Sequence, residues 1–353
     1  MILPGDEAIS HRFALLASLA DGPSKIANYS PSADCRATLA CIRALGIQVD
    51  EDADASAVTV HGRGLLGWTR PQAPLDAAGS RETFELLEAL LSAQTFPSTL
   101  LGAETVAIPG GPAEPGEHTL AVPDARRKTA LLLRGLFAHG QTVVREPSLT
   151  PDHTETALRE FGADVKSVRR VITLQGRPAL QARELAVPGD LTSAAYFIAA
   201  GLLVPGSRLL IQNVGLNPTR ASLLDFLMSS GAQLRVARIQ SKNGEMVGDI
   251  EVRHSEVRGG VLDGWTAAGL SGELPALAVL CAASGHGLLI QGAPEGPAGL
   301  ADHLASLDLQ CSLTPEGLRI PGRQAPGRGL AVLATAAARR FPDFQAALDR
   351  LSV

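Results

Sequence analysis

A chain of 353 residues with 45% apolar residues is long enough for two hydrophobic cores, and a formal charge of −5 without a basic tail argues against nucleic-acid binding. The amino terminus lacks the basic start and apolar run of a signal peptide, and the longest apolar stretch, 194–204, is too short to cross a membrane. The four cysteines lack CxxC spacing, so we expect no zinc site and no other cofactor, and we expect buried thiols in a reducing cytoplasm.

The predicted elements recur in a fixed order along the chain. An Ala/Leu-rich helix ends near a glycine, a β-branched strand follows, a second helix ends at another glycine, and a further strand completes an α-β-α-β unit. Good copies begin at Ile9, Thr129, Ser193 and Leu274. A partial copy from Thr83 breaks into "IPGGPAEPGEHT", and "GLAVLATAAARRF" supplies only one helix.

The opening motif of the chain is itself duplicated. "LPGDEAISHRFALLASL" near the start matches "VPGDLTSAAYFIAAGLL" from Val187, and both stretches predict a strand, a Pro-Gly-Asp turn and a buried helix. We therefore predict two domains that pack several units around shared helices, with an ordinary doubly wound α/β fold as the alternative. The predicted ranges are 6–183 for the first domain, shortened near 104–120, and 1–5 with 184–353 for the second, shortened near 292–326.

Three stretches resemble the enolpyruvyl transferase family. They are "LPGDEAISHRFALLASLADG", "EPSLTPDHTETALREFGADV" and "VPGDLTSAAYFIAAGLLVPG", and they are more similar to the enzymes that act on shikimate 3-phosphate than to those that act on UDP-N-acetylglucosamine. The resemblance implies a two-domain inside-out α/β barrel of repeated units. It also implies that shikimate 3-phosphate and phosphoenolpyruvate bind in the interdomain cleft, and that a carboxyvinyl group is transferred between them in the shikimate pathway.

The resemblance also identifies charged positions that have changed. The family motif reads PGDKSISHR, whereas Glu7 and Ala8 replace its Lys and Ser, and Arg12 is kept. A carboxylate beside a phosphate adds repulsion of about the size of the lost attraction. Arg12 is therefore either an anion ligand or a partner of Glu7 or Asp6 in a salt bridge.

The two following anion-binding segments of the family differ here as well. The helix start Gly-Asn-Ser-Gly-Thr-Thr-Met-Arg corresponds to "AAGSRETFE", and the Ser-Ala-Gln segment corresponds to "DAR". The implied cleft positions in these segments are Arg81, Glu82, Glu85, Asp124, Ala125 and Arg126. We expect the Arg81 side chain to close the anion cradle. The run Arg126-Arg127-Lys128 is either a replacement phosphate grip or a solvated helix face.

The second domain lacks the family's acid–base groups. The catalytic Asp position falls on Gly272, with Glu273 beside it; the Lys-Glu-Ser-Asp-Arg motif is missing, and the late Asp-His-Arg motif leaves at most Arg328. Residues typical of the scaffold persist, among them Asp152, His153, Asp190, Asn217 and Arg220. We expect His11, Asp152 and His153 to act as caps and hydrogen-bond partners.

Three hypotheses about function remain open. The chain is a divergent enzyme of the usual reaction, a retuned enzyme for a less anionic ligand, or a non-catalytic binding or interaction protein. The loss of several charges favours a relative with little or no carboxyvinyl transfer, because each anion contact contributes about 1.5–3 kcal/mol. An anionic small molecule is the expected ligand, no nucleic acid or membrane partner is expected, and the sequence identifies no protein partner.

Overall fold

The computed structural model describes residues 1–220, 222–270, 272–292, 298–306 and 308–324, and the single residues 333 and 344. The chain forms two compact units. The amino-terminal unit comprises Pro4–Pro188 and Ser241–Glu245, and the carboxy-terminal unit comprises Met1–Leu3, Gly189–Gln240 and Met246–Val353. The predicted ranges put residues 4–5, 184–188 and 241–245 in the second domain, whereas all three segments lie in the amino-terminal unit. For residues 184–188 the reason is that the strand Glu184–Ala186 pairs with the strand Asp21–Ala27.

The amino-terminal unit alternates helices with short strands. Its helices are α1 (Glu7–Leu19), α2 (Ala33–Ala44), α3 (Arg81–Leu91), α4 (Ala125–Gly135) and α5 (His153–Glu160). Its strands are β1 (Asp21–Ala27), β2 (Gln48–Asp52), β3 (Ala57–Arg63), β4 (Leu75–Asp76), β5 (Ser98–Leu101), β6 (Thr105–Ile108), β7 (Gly116–Thr119), β8 (Gln141–Arg145), β9 (Val165–Val168), β10 (Val171–Gln175) and β11 (Glu184–Ala186).

These strands form three sheets that reproduce the predicted repeat. Their orders are β11-β1-β3-β2, β4-β5-β6 and β7-β8-β10-β9. In each sheet the first two strands are parallel and the remaining neighbours are antiparallel. The middle sheet has three strands, because residues 102–104 join β5 directly to β6 where the other two units insert a helix and a strand. The Gly/Pro-rich break in the sequence predicts this loss.

The helices α3 and α4 pack directly against each other beside the shortened unit. The Arg134 guanidinium at the end of α4 donates to the Ser92 hydroxyl at the end of α3 (3.2 Å) and to the Pro112 carbonyl (3.4 Å). Nearer the helix starts, Arg126 on α4 forms an ion pair with Glu85 on α3. Direct packing of two helices thus fills the place that a second helix occupies in the complete units.

Buried helices form the centre of the amino-terminal unit. The sequence of α1 is apolar around most of its circumference, as a fully covered helix requires, and Phe13 packs edge-on against Phe161 with ring centroids 6.3 Å apart. Its polar residues Ser10, His11 and Ser18 are also buried, and each has a hydrogen-bond partner. The helix is therefore core on every side except at its first turn and at Arg12.

The two Pro-Gly-Asp turns are structural. A Cβ atom at Gly5 would lie 1.9 Å from the Asn28 carbonyl oxygen, so only glycine fits there. Asp6 caps α1 by accepting a hydrogen bond from the Ile9 amide at 3.1 Å. Asp190 caps the helix Leu191–Leu203 in the same way, by accepting hydrogen bonds from the Thr192 and Ser193 amides.

The carboxy-terminal unit repeats the same pattern. Its helices are α6 (Leu191–Leu203), α7 (Ser222–Ser229), α8 (Gly264–Gly269), α9 (Leu274–Ala283) and α10 (Ala298–Ser306). Its strands are β12 (Arg208–Gly215), β13 (Gln233–Lys242), β14 (Glu245–Arg253), β15 (Gly260–Asp263), β16 (Leu288–Gln291), β17 (Ser312–Thr314) and β18 (Gly317–Ile320), in sheets ordered β12-β14-β13 and β15-β16-β18-β17. The buried helices α6 and α9 lie in contact. Among the described residues, no helix has the length and apolar character needed to cross a membrane.

Candidate functional site

An ion pair joins the second turn of α1 to the first turn of α3. The Arg12 Nη1 atom lies 2.6 Å from Glu82 Oε1, and the guanidinium also donates to the Ala8 carbonyl (2.7 Å) and to the Thr154 hydroxyl (2.8 Å). Arg12 is 12% exposed and Glu82 is 38% exposed. We had expected Glu7 or Asp6 as the alternative partner. The ion pair instead reaches a carboxylate 70 residues along the chain.

The surroundings of this pair favour an ionised Glu82 and a neutral His11. Desolvation opposes ionisation of Glu82, but the adjacent Arg12 guanidinium outweighs it, so the pKa of Glu82 is lowered. Burial lowers the pKa of His11, although Glu82 acts in the opposite direction. The His11 ring is hydrogen-bonded to the Thr38 hydroxyl at 2.7 Å, in the role of hydrogen-bond partner that the sequence predicts.

A second carboxylate on α3 lies between two arginines. Glu85, one turn after Glu82, lies 2.7 Å from the Nε atom of Arg81 and 3.4 Å from that of Arg126. Both guanidinium groups are well exposed, at 71% and 60%. The Arg81 side chain lies along its own helix toward Glu85, four residues away.

The remaining predicted positions of the amino-terminal unit lie at helix starts. Glu7 and Ala8 are the first two residues of α1, and Ala125 begins α4. Asp124 caps α4 by accepting a hydrogen bond from the Arg127 amide at 2.9 Å. Side-chain contacts thus connect Ala8, Arg12 and Glu82 in one group and Arg81, Glu85 and Arg126 in another.

A buried charged cluster that the sequence did not predict surrounds Lys128 of α4. Lys128 is 1% exposed, and its ammonium lies 2.8 Å from Glu155, 3.4 Å from Glu146 and 3.2 Å from the Thr150 carbonyl oxygen. The interpretation of a solvated face is therefore wrong for Lys128. Helical spacing provides the missing signal, since Lys128 lies four residues before the buried Leu132 and so shares its face.

Two scaffold residues at the start of α5 behave differently from each other. The His153 Nδ1 atom is 2.8 Å from the buried Glu245 carboxylate, which makes it a hydrogen-bond partner as expected. Asp152 occupies the cap position of α5, where its carbonyl oxygen accepts from the Thr156 amide at 3.0 Å, but its side chain makes no capping hydrogen bond.

In the carboxy-terminal unit, the predicted acid–base position carries no carboxylate. Gly272 is half-buried in the turn before α9. Glu273 is buried, and its Oε1 atom accepts hydrogen bonds from Arg220 and from the Thr192 hydroxyl, both at 2.6 Å. The predicted Arg328 lies outside the described residues. Within the part of the chain that the structure describes, no group of three or more His, Cys, Asp or Glu side chains could hold a metal ion.

The repeated units and the positions of these residues define an enolpyruvyl transferase fold. The structure is similar to an EPSP synthase from Acinetobacter baumannii with a TM-score of 0.85 and 27% identity, over 99% of this chain and 95% of that one. It shares its fold with the enolpyruvyl transferase NikO from Streptomyces tendae at a TM-score of 0.74 and 20% identity, over 100% of this chain and 94% of that one.

The chain belongs to the EPSP synthase (3-phosphoshikimate 1-carboxyvinyltransferase) family, whose sequence model matches residues 1–108 and 105–306. A 3-phosphoshikimate 1-carboxyvinyltransferase of Solibacter usitatus (strain Ellin6076) is 44% identical over 322 residues, which are 83% of this chain and 75% of that protein. The enzyme of the same name from Shouchella clausii (strain KSM-K16) is 37% identical over 325 residues, 84% of this chain and 75% of that protein.

Proposed function

We propose that this chain is a member of the EPSP synthase family with little or no carboxyvinyl transferase activity. The observation that carries the proposal is the 2.6 Å ion pair between Arg12 and Glu82. Arg12 is the one cation of the opening family motif that the sequence keeps, and a carboxylate of the same chain is already bound to it. Glu85 likewise forms ion pairs with two cations of the same chain, Arg81 and Arg126.

In this family, protein carboxylates that pair with the substrate-binding cations weaken the binding of the substrates. Shikimate 3-phosphate and phosphoenolpyruvate are both multiply charged anions, and cations of the protein must offset their repulsion. An anion that displaces Glu82 from Arg12 must break the ion pair of the protein. The bound anion is then also repelled by the negative charge of Glu82. For two like charges ~5 Å apart at an effective dielectric constant of about 20, this repulsion is about 3 kcal/mol, which is roughly a hundredfold in affinity.

We infer that, among the described residues at the start of α9, none takes over the role of the family's catalytic Asp. Glu273, next to Gly272, already accepts two hydrogen bonds at 2.6 Å, one of them from the Arg220 guanidinium. The Glu273 carboxylate is thus engaged in holding Arg220 and Thr192.

A retuned site for a less anionic ligand is the second candidate function. The cationic positions Arg12, Arg81 and Arg126 are at least balanced by the anionic positions, which are Glu7, Glu82, Glu85 and Asp124. This balance suits a neutral polyhydroxylated ligand better than a phosphate.

The test is an assay of purified protein with shikimate 3-phosphate and phosphoenolpyruvate, followed by phosphate release and by calorimetry. We expect no measurable turnover and no heat of binding. The enzyme from Solibacter usitatus serves as the positive control. Turnover in the usual enzyme range of about 1–1000 s⁻¹ would refute the proposal. Binding without turnover would favour the retuned site.

A restoration variant separates a lost site from a misfolded protein. The substitutions Glu7→Lys, Ala8→Ser and Glu82→Thr give this chain the family residues at three cleft positions. We expect the triple variant to bind inorganic phosphate or shikimate 3-phosphate more tightly than the natural chain does. The single substitution Arg12→Gln in the triple variant should remove that gain.

A further inference from the structure

We propose that β6 pairs edge to edge with β6 of a second copy of this chain. The antiparallel pairing would join two three-stranded sheets into one six-stranded sheet across a twofold axis. β6 is the last strand of the sheet β4-β5-β6, and no strand among the described residues pairs with its outer edge. The inference concerns a surface outside the candidate site, and it does not depend on the proposed function.

The two complete sheets of the same unit show what the outer edge of β6 lacks. β3 is antiparallel to β1 on one side and to β2 on the other, and β10 lies in the same way between β8 and β9. β6 is antiparallel to β5 and corresponds to β3 and β10. It has therefore lost the strand that would cover its second edge, and the lost strand would run antiparallel to it.

The composition of β6 is that of an inner strand. The true edge strands carry charges, as exposed edges usually do: Asp50, Glu51 and Asp52 on β2, and Lys166 on β9. β6 reads Thr-Val-Ala-Ile and carries no charge, proline or bulge that would discourage pairing. Thr105 and Ala107 are exposed, while Ile108 is buried in the core.

A second copy fits this edge because the strand is self-complementary. In an antiparallel pair about a twofold axis at Ala107, the two Ala107 residues lie opposite each other. No like charges face each other, since Glu104 falls opposite Gly110 of the partner strand. Alternate residues point their main-chain groups outward, so the two copies would exchange about four main-chain hydrogen bonds. So short an interface belongs to the small class, and we expect a dissociation constant in the micromolar range.

Sedimentation velocity of the full chain between about 1 and 200 µM tests the proposal. We expect a shift from monomer to dimer as the concentration rises. Ala107→Lys adds an edge charge at an exposed position and should leave the protein monomeric throughout. Ser167→Lys adds the same charge to β9, an edge strand that already carries Lys166. This variant should dimerise as the natural chain does.

Cross-linking identifies the surface even if the dimer is weak. In a Cys311→Ser background, Ala107→Cys should form a disulfide-linked dimer in an oxidising glutathione buffer, whereas Ser167→Cys should not. A natural chain that stays monomeric at 200 µM and fails to cross-link through Ala107→Cys would overturn the proposal. A dimer that persists in Ala107→Lys would overturn it too, because the contact would then lie elsewhere.

Discussion

Replacement of the buried Lys128 by Met should destabilise the amino-terminal unit strongly. The Lys128 ammonium contacts Glu155 at 2.8 Å and Glu146 at 3.4 Å, and all three side chains are at most 2% exposed. Met fills most of the volume but leaves two carboxylates without their cation. Removal of one partner from such a buried group costs about 3–5 kcal/mol. At ~2–4 °C per kcal/mol, the melting temperature of a unit of this size should fall by roughly 6–20 °C.

Urea unfolding followed by tryptophan fluorescence measures this loss. Trp68 is buried in the amino-terminal unit, where its indole donates to Ser18, so its emission reports on the unfolding of that unit. The only other tryptophan, Trp265, is replaced by Phe in all variants. Lys166→Met is the matched control, since Lys166 is 73% exposed and 3.6 Å from Asp164. We expect it to change the free energy of unfolding by less than about 1 kcal/mol.

The dependence on pH gives a second readout of the same cluster. Burial raises the pKa of Glu155, and Lys128 opposes that rise. A raised pKa in the folded state contributes stability at low pH that is lost as the pH rises through it. Without Lys128 the pKa rises further, so the deficit of Lys128→Met should be smaller at pH 5 than at pH 8. A deficit equal to that of Lys166→Met, or one independent of pH, would refute the reasoning.

Two further predictions concern the turn and the thiols. Gly5→Ala should cost about 1–3 kcal/mol in a thermal melt, because its Cβ atom would lie 1.9 Å from the Asn28 carbonyl oxygen, whereas Gly269→Ala, with open space around it, should be nearly neutral. Three thiols should resist iodoacetamide in the native protein at pH 8, because burial raises their pKa to about 12. They are Cys35, Cys41 and Cys281. The half-buried Cys311 should react first in intact-mass measurements; equal reaction of all four would contradict the described burial.

The duplicated pattern made the fold predictable from the sequence. Glycine-terminated helices and β-branched strands recur with few gaps, so the repeat and its shortened copy could be read directly. The Pro-Gly-Asp turns were readable for the same reason, because each places an Asp at the start of a buried helix. These features are local, and local sequence determines them.

The partners of the candidate site could not be read in the same way. The pairing of Arg12 with Glu82 depends on how α1 and α3 lie side by side, and no local pattern encodes that contact. The ladder that assigns Glu184–Ala186 to the amino-terminal unit is equally non-local. The burial of Lys128 follows from its helical spacing to the buried Leu132, whereas the run of three cations that contains it is typical of an exposed helix face.

The shortened unit also has a consequence for the order of folding. β8 and β10 are separated by residues 146–170, whereas β5 and β6 are separated by residues 102–104 alone. A hairpin with so short a loop closes at a small entropic cost and forms in about 1–10 µs. We expect the β5–β6 ladder to gain protection before the β8–β10 ladder in pulsed hydrogen exchange. The short connection that leaves β6 at an edge has therefore also replaced a long-range strand pairing of the complete units by a hairpin between neighbouring strands.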